Sequence, residues 1–235
     1  MTTLFKKHAP WLLPILAMAF LTPFTPALDL AISNYFYQDT HSFPQRPFYT
    51  FIFEYGSVPA LVTATLALLC FLLANFFPSL QKWRPPTLVL VGTLAIGAGL
   101  ITNIVLKDYW GRPRPRQVTE FGGTQPFHAF YQPNFFNQPE QSKSFPSGHA
   151  SMGFYFFALA LVGKRIGNRP VFWLGLILAF VLGGVLSWTR IAQGGHFFSD
   201  TMMSALVMWL TAYGCDKWIY SDRRNRDERA NKTAK

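Results

Sequence analysis

Residues 58–77 read VPALVTATLALLCFLLANFF, twenty consecutive positions without a charged side chain. A helix of about 20 apolar residues is long enough to cross the hydrocarbon core of a bilayer. Five further apolar runs occur along the chain, and four of them are close to that length. The full set of runs is Trp11–Leu28, Val58–Phe77, Thr87–Leu106, His149–Val162, Val171–Trp188 and Thr201–Ile219. The sequence therefore predicts an all-α fold, a bundle of six transmembrane helices.

The composition of the 235-residue chain agrees with a membrane protein. Half of the residues are hydrophobic and 14% are charged, whereas a soluble domain has roughly 25% charged residues. This excludes a disordered chain and argues against a soluble globule. The 21 Lys and Arg against 11 Asp and Glu do not indicate nucleic acid, because DNA-binding domains are not half hydrophobic. Cys70 and Cys215 fit neither a disulfide framework nor a zinc site.

The distribution of basic residues predicts the orientation of the chain. If the number of spans is even and both termini are cytoplasmic, 14 of the 21 Lys and Arg lie on the inner side and seven on the outer side. Cytoplasmic segments of membrane proteins are enriched in these residues. We therefore expect both termini inside, one membrane-embedded domain over residues 1–220, and a polar cytoplasmic tail over residues 221–235.

The first apolar run has a second interpretation. The lysines at residues 6–7, followed by an apolar stretch, are also typical of a cleaved signal peptide. The run is longer than the apolar part of most signal peptides, and residues 28–30 are a poor cleavage site, which favours a retained span. The prolines of the run predict a kinked or broken helix: Pro14, Pro23 and Pro26.

Three segments fall at the outer ends of predicted spans three to six, on one face of the membrane. They contain three cations, two histidines, a carboxylate and a Ser-Gly turn before a helix. These residues are Lys107, Arg114, Ser147, Gly148, His149, Arg190, His196 and Asp200. Arginine and lysine bind phosphoryl groups, and backbone N–H groups at the start of a helix can face an anion. We therefore expect a phosphoryl group to bind at this face.

The two histidines have different predicted roles. His196 and Asp200 are four residues apart and share a helix face, so Asp200 can fix the tautomer of His196 and strengthen it as a nucleophile. His149 is then available as a general acid toward a leaving alkoxide. The cations can stabilise the spreading charge of the transition state, so we expect neither a metal nor another cofactor.

The chain resembles the type 2 phosphatidic acid phosphatase superfamily in three ordered motifs, K-x6-RP, PSGH and R-x5-H-x3-D, between residues 107 and 200. Thr189 stands where this family usually has Ser. The resemblance implies a phosphohistidine mechanism, in which His196 attacks phosphorus, Asp200 supports it and His149 protonates the leaving oxygen. It also implies the residues that hold the phosphate: Lys107, Arg114, Ser147, Gly148 and Arg190.

The resemblance implies a lipid substrate, with phosphatidic acid, phosphatidylglycerol phosphate, undecaprenyl diphosphate and lipid A as candidates. The segment from Glu120 to Gly123, with the aromatic stretch that follows it, is similar to the bacterial lipid A phosphatase branch. Three further cations flank the motifs and are expected either to contact a second phosphate or head group, or to solvate the loop: Arg112, Arg116 and Lys143. The long aromatic loop over residues 117–144 is either a lid or binding loop or an interfacial anchor.

These expectations describe a phosphatase of the bacterial inner membrane with its active site on the periplasmic side. Its partners are the lipid substrate and the bilayer; no nucleic acid and no obligate protein partner are indicated. One alternative is a lipid-to-lipid phosphotransferase that uses the same site. A second alternative is a non-catalytic anion or lipid transporter, which would not need a nucleophile beside a carboxylate at catalytic spacing.

Overall fold

The computed structural model describes residues 2–37, 41–136 and 142–233, with side chains described from residue 8 to residue 221 within those ranges. In this part of the chain the protein is built from helices, and one isolated β-bridge joins Val118 to Gln125. The predicted all-α class is therefore confirmed. The α-helices are α1 Thr2–Leu21, α2 Thr25–Tyr37, α3 Pro47–Tyr55, α4 Val58–Leu73, α5 Arg84–Gly92, α6 Lys107–Tyr109, α7 Gly148–Phe154, α8 Phe157–Arg165, α9 Arg169–Ala192 and α10 Phe198–Thr233.

Four helical stretches among the described residues are long and apolar enough to cross a membrane. They are His8–Tyr37, Pro47–Leu73, Pro78–Tyr109 and Arg169–Ala192. Large apolar side chains on them point away from the protein; Leu66 and Phe180, for example, are 61% and 64% exposed. These stretches overlap the first, second, third and fifth predicted spans, so the protein is a membrane protein with apolar outer surfaces at these helices.

The other two predicted spans correspond to helices of a different kind. The fourth is divided into α7 and α8 at Tyr155–Phe156 and lies mostly inside the protein, so its residues face other helices more than lipid. The sixth is the first part of α10, which becomes charged from Asp216 onward. Both helices exist, but neither is among the four stretches above, and six membrane crossings remain a prediction.

The proline-rich first stretch is broken, as predicted. Helix α1 contains Pro10 and Pro14 and ends at Leu21. A 3-10 turn over Thr22–Phe24 follows, and α2 continues the chain to Tyr37. Asp29 lies in α2, within an otherwise apolar stretch.

Glycines bring the backbones of α7 and α8 into contact with α9. A Cβ atom at Gly153 would lie 2.4 Å from the backbone nitrogen of Gly183, and one at Gly175 would lie 2.3 Å from that of Ala160. Small residues allow this close approach between membrane helices. The packing fixes the start of α7 next to the end of α9, where two predicted site residues, His149 and Arg190, are located.

Candidate active site

The structure brings the three motif segments together at one end of the helices. His149 lies in the first turn of α7, Arg190 lies near the end of α9, and His196 directly precedes α10. His196 interacts electrostatically with Arg190 and Lys107, and Lys107 interacts with both Arg114 and Arg190. Residues that are far apart in the sequence therefore form one charged cluster.

His196 is 1% exposed, and the hydrogen bond of its ring determines which nitrogen carries the proton. Its Nδ1 lies 2.5 Å from the carbonyl oxygen of Ser144. A carbonyl oxygen only accepts hydrogen bonds, so the proton is on Nδ1 and the lone pair is on Nε2. The Oδ2 atom of Asp200 is 3.8 Å from the same Nδ1. The tautomer is thus fixed by a backbone carbonyl, with the Asp200 carboxylate beside it.

The surroundings of His196 also keep its ring neutral. Burial lowers the pKa of His196 to about 4; the nearby Asp200 carboxylate acts in the opposite direction, and the charges of Arg190 and Lys107 lower the pKa further. A pKa in this range leaves the ring uncharged at neutral pH. An uncharged ring with a free Nε2 lone pair is the form that a nucleophile needs.

The Asp200 carboxylate is fully buried and accepts hydrogen bonds on both oxygens. Its Oδ2 accepts from the Ser144 hydroxyl at 2.6 Å and from the Phe197 N–H at 2.8 Å. Its Oδ1 accepts from Arg112. Ser144 therefore holds both members of the pair, through its carbonyl and its hydroxyl. The sequence offered no signal for this residue, because a backbone contact across 52 positions leaves no pattern.

Arg190 has a buried donor that the described part of the protein leaves unsatisfied. Its side chain donates from Nη1 to Gln193 Oε1 at 2.7 Å, while its Nε atom is buried without a hydrogen-bond partner among the described residues. A Cβ atom at Gly195 would lie 2.3 Å from Nη2, so a larger residue there would push the Arg190 guanidinium out of its present position. Buried donors are nearly always satisfied in proteins, and a phosphate oxygen is a suitable acceptor.

Arg114 is a second cation, and it forms no ion pair within 4.0 Å among the described residues. Burial, followed by the charge of Arg116, lowers the pKa of Arg114, while Asp200 opposes the shift. A lowered pKa for a guanidinium means that its charge is destabilised at this position. The binding of an anion would relieve this destabilisation.

His149 contacts a residue that the sequence did not indicate. Its ring stacks on Phe53 of α3 with the centroids 4.5 Å apart, and its Nε2 lies 3.1 Å from the Phe53 carbonyl oxygen. The guanidinium carbon of Arg190 lies 4.6 Å from the centroid of the same Phe53 ring. Phe53 thus joins two predicted site residues, and by the donor rule used for His196, His149 carries a proton on Nε2.

The expected role of the Ser147 amide is corrected by the structure. Its backbone N–H is directed to the carbonyl oxygen of Asp200 at 3.4 Å, and its hydroxyl caps α7 by accepting from Ala150 N–H. The Ser147 N–H is therefore not free to face an anion. Gly148 remains close to Lys107, since a Cβ atom there would lie 3.3 Å from Lys107 Nζ and 2.8 Å from Asn103 Oδ1.

The three flanking cations occupy different environments. Arg112 is 0% exposed and bound to two carboxylates, so the expectation that it contacts a head group or solvates the loop is wrong. Lys143 forms a 2.7 Å ion pair with Asp108, with both side chains partly exposed. Arg116 is exposed at the surface. Only the last two are accessible to a head group.

The aromatic loop divides into a buried and an exposed part. Phe121 and Phe130 pack into small cores, whereas Phe136 is 93% exposed. Residues 137–141 lie outside the described ones. Within the described ranges, no group of three or more His, Cys, Asp or Glu is placed to hold a metal ion.

The lowered pKa of His196 predicts a specific loss of stability in acid. The folded state binds a proton near pH 4, whereas an unfolded His binds one near 6.5, so the free energy of unfolding falls as the pH drops through this interval. The full effect is about 3 kcal/mol. His196→Asn should remove this part of the pH dependence in thermal unfolding of the detergent-purified protein.

The exposed His41 provides the matched control for this experiment. His41→Asn should leave the pH dependence of the melting temperature unchanged. If both variants retain the wild-type slope between pH 4 and 6.5, His196 is not buried in its neutral form.

Comparison with known proteins places this arrangement in a family. Residues 86–224 match the PAP2 superfamily. The chain is 33% identical to the lipid A 4'-phosphatase of Francisella tularensis subsp. novicida over 80% of this chain and 84% of that protein. It is 34% identical to the lipid A 4'-phosphatase of Rhizobium leguminosarum over 53% of this chain and 49% of that protein. No solved structure matches the chain.

The family match covers more than half of the chain and contains all three motifs that carried the sequence resemblance. The resemblance predicted from the motifs is therefore confirmed. The protein belongs to the PAP2 superfamily of type 2 phosphatidic acid phosphatases and is a membrane-embedded lipid phosphatase.

Proposed function

We propose that this protein hydrolyses a phosphate monoester on the head group of lipid A through a phosphohistidine intermediate, without a metal ion. The observation that carries the chemistry is the neutral, buried His196, whose Nε2 lone pair is available beside Lys107 and Arg190. The substrate rests on similarity, because two relatives that are 33% and 34% identical to this chain over the aligned residues are lipid A 4'-phosphatases.

In the first step, the Nε2 lone pair of His196 forms a bond to phosphorus and the bond from phosphorus to the ester oxygen breaks. His149, whose Nε2 proton faces the Phe53 carbonyl oxygen, takes up a second proton on Nδ1 when the phosphate dianion binds among the cations, and gives that proton to the leaving oxygen. The new phosphohistidine ring carries positive charge, which the Ser144 carbonyl and the Asp200 carboxylate stabilise from the Nδ1 side. Preorganised charges of this kind lower the barrier without moving during the reaction.

In the second step, water attacks the phosphohistidine. His149, now neutral, takes a proton from this water, and the phosphorus–nitrogen bond breaks with its electron pair returning to His196. Inorganic phosphate leaves and both histidines regain their starting forms. Throughout both steps, Arg190, Arg114 and Lys107 offset the charge on the phosphoryl oxygens, so the mechanism requires no metal ion.

We further propose that the site faces the periplasm in a protein with six membrane spans. Helices α7 and α10 both begin at the site, and α7 continues through α8 away from it. At the far end of these helices Arg165 and Asp216 form a two-point ion pair with distances of 2.6 Å. Lys164 and Lys217 adjoin this pair in the sequence. The positive-inside tendency assigns such a basic end to the cytoplasm.

The proposed reaction predicts phosphate release from lipid A by the purified protein in detergent micelles. Lipid A should react faster than phosphatidic acid, phosphatidylglycerol phosphate and undecaprenyl diphosphate at equal surface concentration. His196→Ala and His149→Ala should each lower kcat by at least about 100-fold, since each removes a group that forms or breaks a bond. EDTA should leave the rate unchanged, and His41→Ala serves as the control.

Two results would redirect the proposal. Near-normal turnover by His196→Ala or His149→Ala would rule out the phosphohistidine mechanism. If lipid A loses its phosphate, no free phosphate appears and the labelled phosphate is recovered in a second lipid, the protein is a phosphotransferase instead of a hydrolase.

The contacts of Phe53 predict a further kinetic effect. Phe53→Leu keeps the backbone carbonyl that faces His149 but removes the ring that packs against His149 and Arg190. We expect kcat to fall about tenfold, because the general acid loses part of its positioning. Phe51→Leu on the same helix is the control, since the Phe51 ring packs on Tyr55 and is 58% exposed. Equal kcat values for the two variants would show that Phe53 does not position His149.

A further inference from the structure

Asp29 is a buried carboxylate in the first membrane stretch and lies outside the part of the chain that matches the family. It is 0% exposed, on helix α2. Ionisable side chains within apolar membrane helices are rare, and they usually pair with another group or serve a function. The partners of Asp29 therefore indicate why the chain keeps a carboxylate at this position.

Asp29 binds the beginning of the helix that carries Asp200. Its Oδ1 accepts from the backbone N–H of Ser199 at 2.8 Å, and its Oδ2 accepts from the Ser199 hydroxyl at 2.6 Å. Its Oδ2 also forms a 2.8 Å ion pair with Nη2 of Arg112. Two carboxylate oxygens thus hold the first turn of α10 from the side of α2.

Arg112 connects Asp29 to Asp200. Its Nη1 donates to Asp200 Oδ1 and, at 2.8 Å, to the Ser199 hydroxyl. Its Nε donates to the His128 carbonyl at 2.9 Å. The guanidinium carbon lies 4.4 Å from the centroid of the Phe197 ring. All three guanidinium nitrogens donate hydrogen bonds, so Arg112 is held between the two carboxylates.

The charges of this group do not cancel. Two carboxylates share one guanidinium, so the three side chains together carry one net negative charge. Neither carboxylate is exposed to water, so this charge is weakly screened. Asp200 Oδ2 is the part of the group closest to His196, at 3.8 Å from Nδ1. The net negative charge can therefore stabilise the His196 ring, which becomes positive when it bonds to phosphorus.

We propose that Asp29 and Arg112 are positioning residues for the reaction, which hold Asp200 against His196 and keep one net negative charge beside the nucleophile. This inference rests on the proposed function of His196. It makes helix α2 a required part of the active site, although the family match begins only at residue 86.

Asp29→Asn is the direct test, because it removes the charge and keeps the shape of the side chain. Its amide oxygen can still accept from Arg112 and the Ser199 hydroxyl, whereas its NH2 group cannot replace the oxygen that accepts from the Ser199 N–H. The probes are orthovanadate, which mimics five-coordinate phosphorus at the nucleophile, and inorganic phosphate, which mimics the ground state. We expect the orthovanadate dissociation constant to rise about tenfold in the purified variant, with that of phosphate within about twofold of wild type. With lipid A, kcat should fall about 10- to 100-fold with little change in KM.

Ser33→Ala is the matched control, since Ser33 is also 0% exposed on α2 and its hydroxyl has no partner among the described residues. It should leave both dissociation constants and kcat unchanged. A parallel fall in orthovanadate and phosphate binding by Asp29→Asn, or unchanged binding of both, would overturn the inference. A structural defect would weaken the binding of both probes alike, whereas loss of the proposed electrostatic role would weaken only the binding of orthovanadate.

A second variant covers the case in which Asp29→Asn does not fold. Ser199→Ala keeps all three charges but removes the hydroxyl that bridges Asp29 and Arg112, so kcat should fall with KM unchanged; an unchanged kcat would overturn the inference. His196→Ala separates the two proposals. If His196→Ala remains active, the proposed function fails; if it is inactive while Asp29→Asn behaves as wild type, only the positioning role fails.

Discussion

The hydrogen bond between His196 Nδ1 and the Ser144 carbonyl oxygen is the interaction on which the rest of the site depends. It places the proton on one nitrogen and leaves the other with a lone pair. Burial then keeps the ring uncharged, because an imidazolium would be poorly solvated there. The same serine holds Asp200 through its hydroxyl, so one residue fixes both the proposed nucleophile and the carboxylate beside it.

Charges of both signs surround this bond. Lys107, Arg114 and Arg190 are the cations proposed to bind the phosphoryl group, and one buried donor among them, Arg190 Nε, has no partner among the described residues. The Asp29–Arg112–Asp200 group adjoins Nδ1 of His196 and carries one net negative charge. His196 therefore has both the proposed phosphate-binding cations and a buried anionic group as neighbours. This arrangement suits a ring that is neutral before the reaction and positive after it.

Sequence patterns were sufficient for the all-α class and for the family that the three motifs indicate. Apolar runs revealed the helices because lipid requires them to be apolar, and the motif spacing revealed the charged residues that meet at one end. The patterns failed where the contacts are made by backbone or by aromatic rings, as for Ser144 and Phe53. The prediction for Arg112 was wrong because its sequence neighbours belong to a motif, whereas its side chain binds Asp29, which is 83 positions away. Asp29 could have been found as a carboxylate within an apolar span.

The most direct test of this account is to identify the residue that carries the phosphoryl group during turnover. The purified protein would be incubated with lipid A labelled with 32P, quenched in alkali, where phosphohistidine survives, and digested for peptide mapping. The account predicts label on the peptide that contains His196, and none in His196→Ala. Label on another residue, or turnover of lipid A without any labelled protein in the quenched samples, would contradict it.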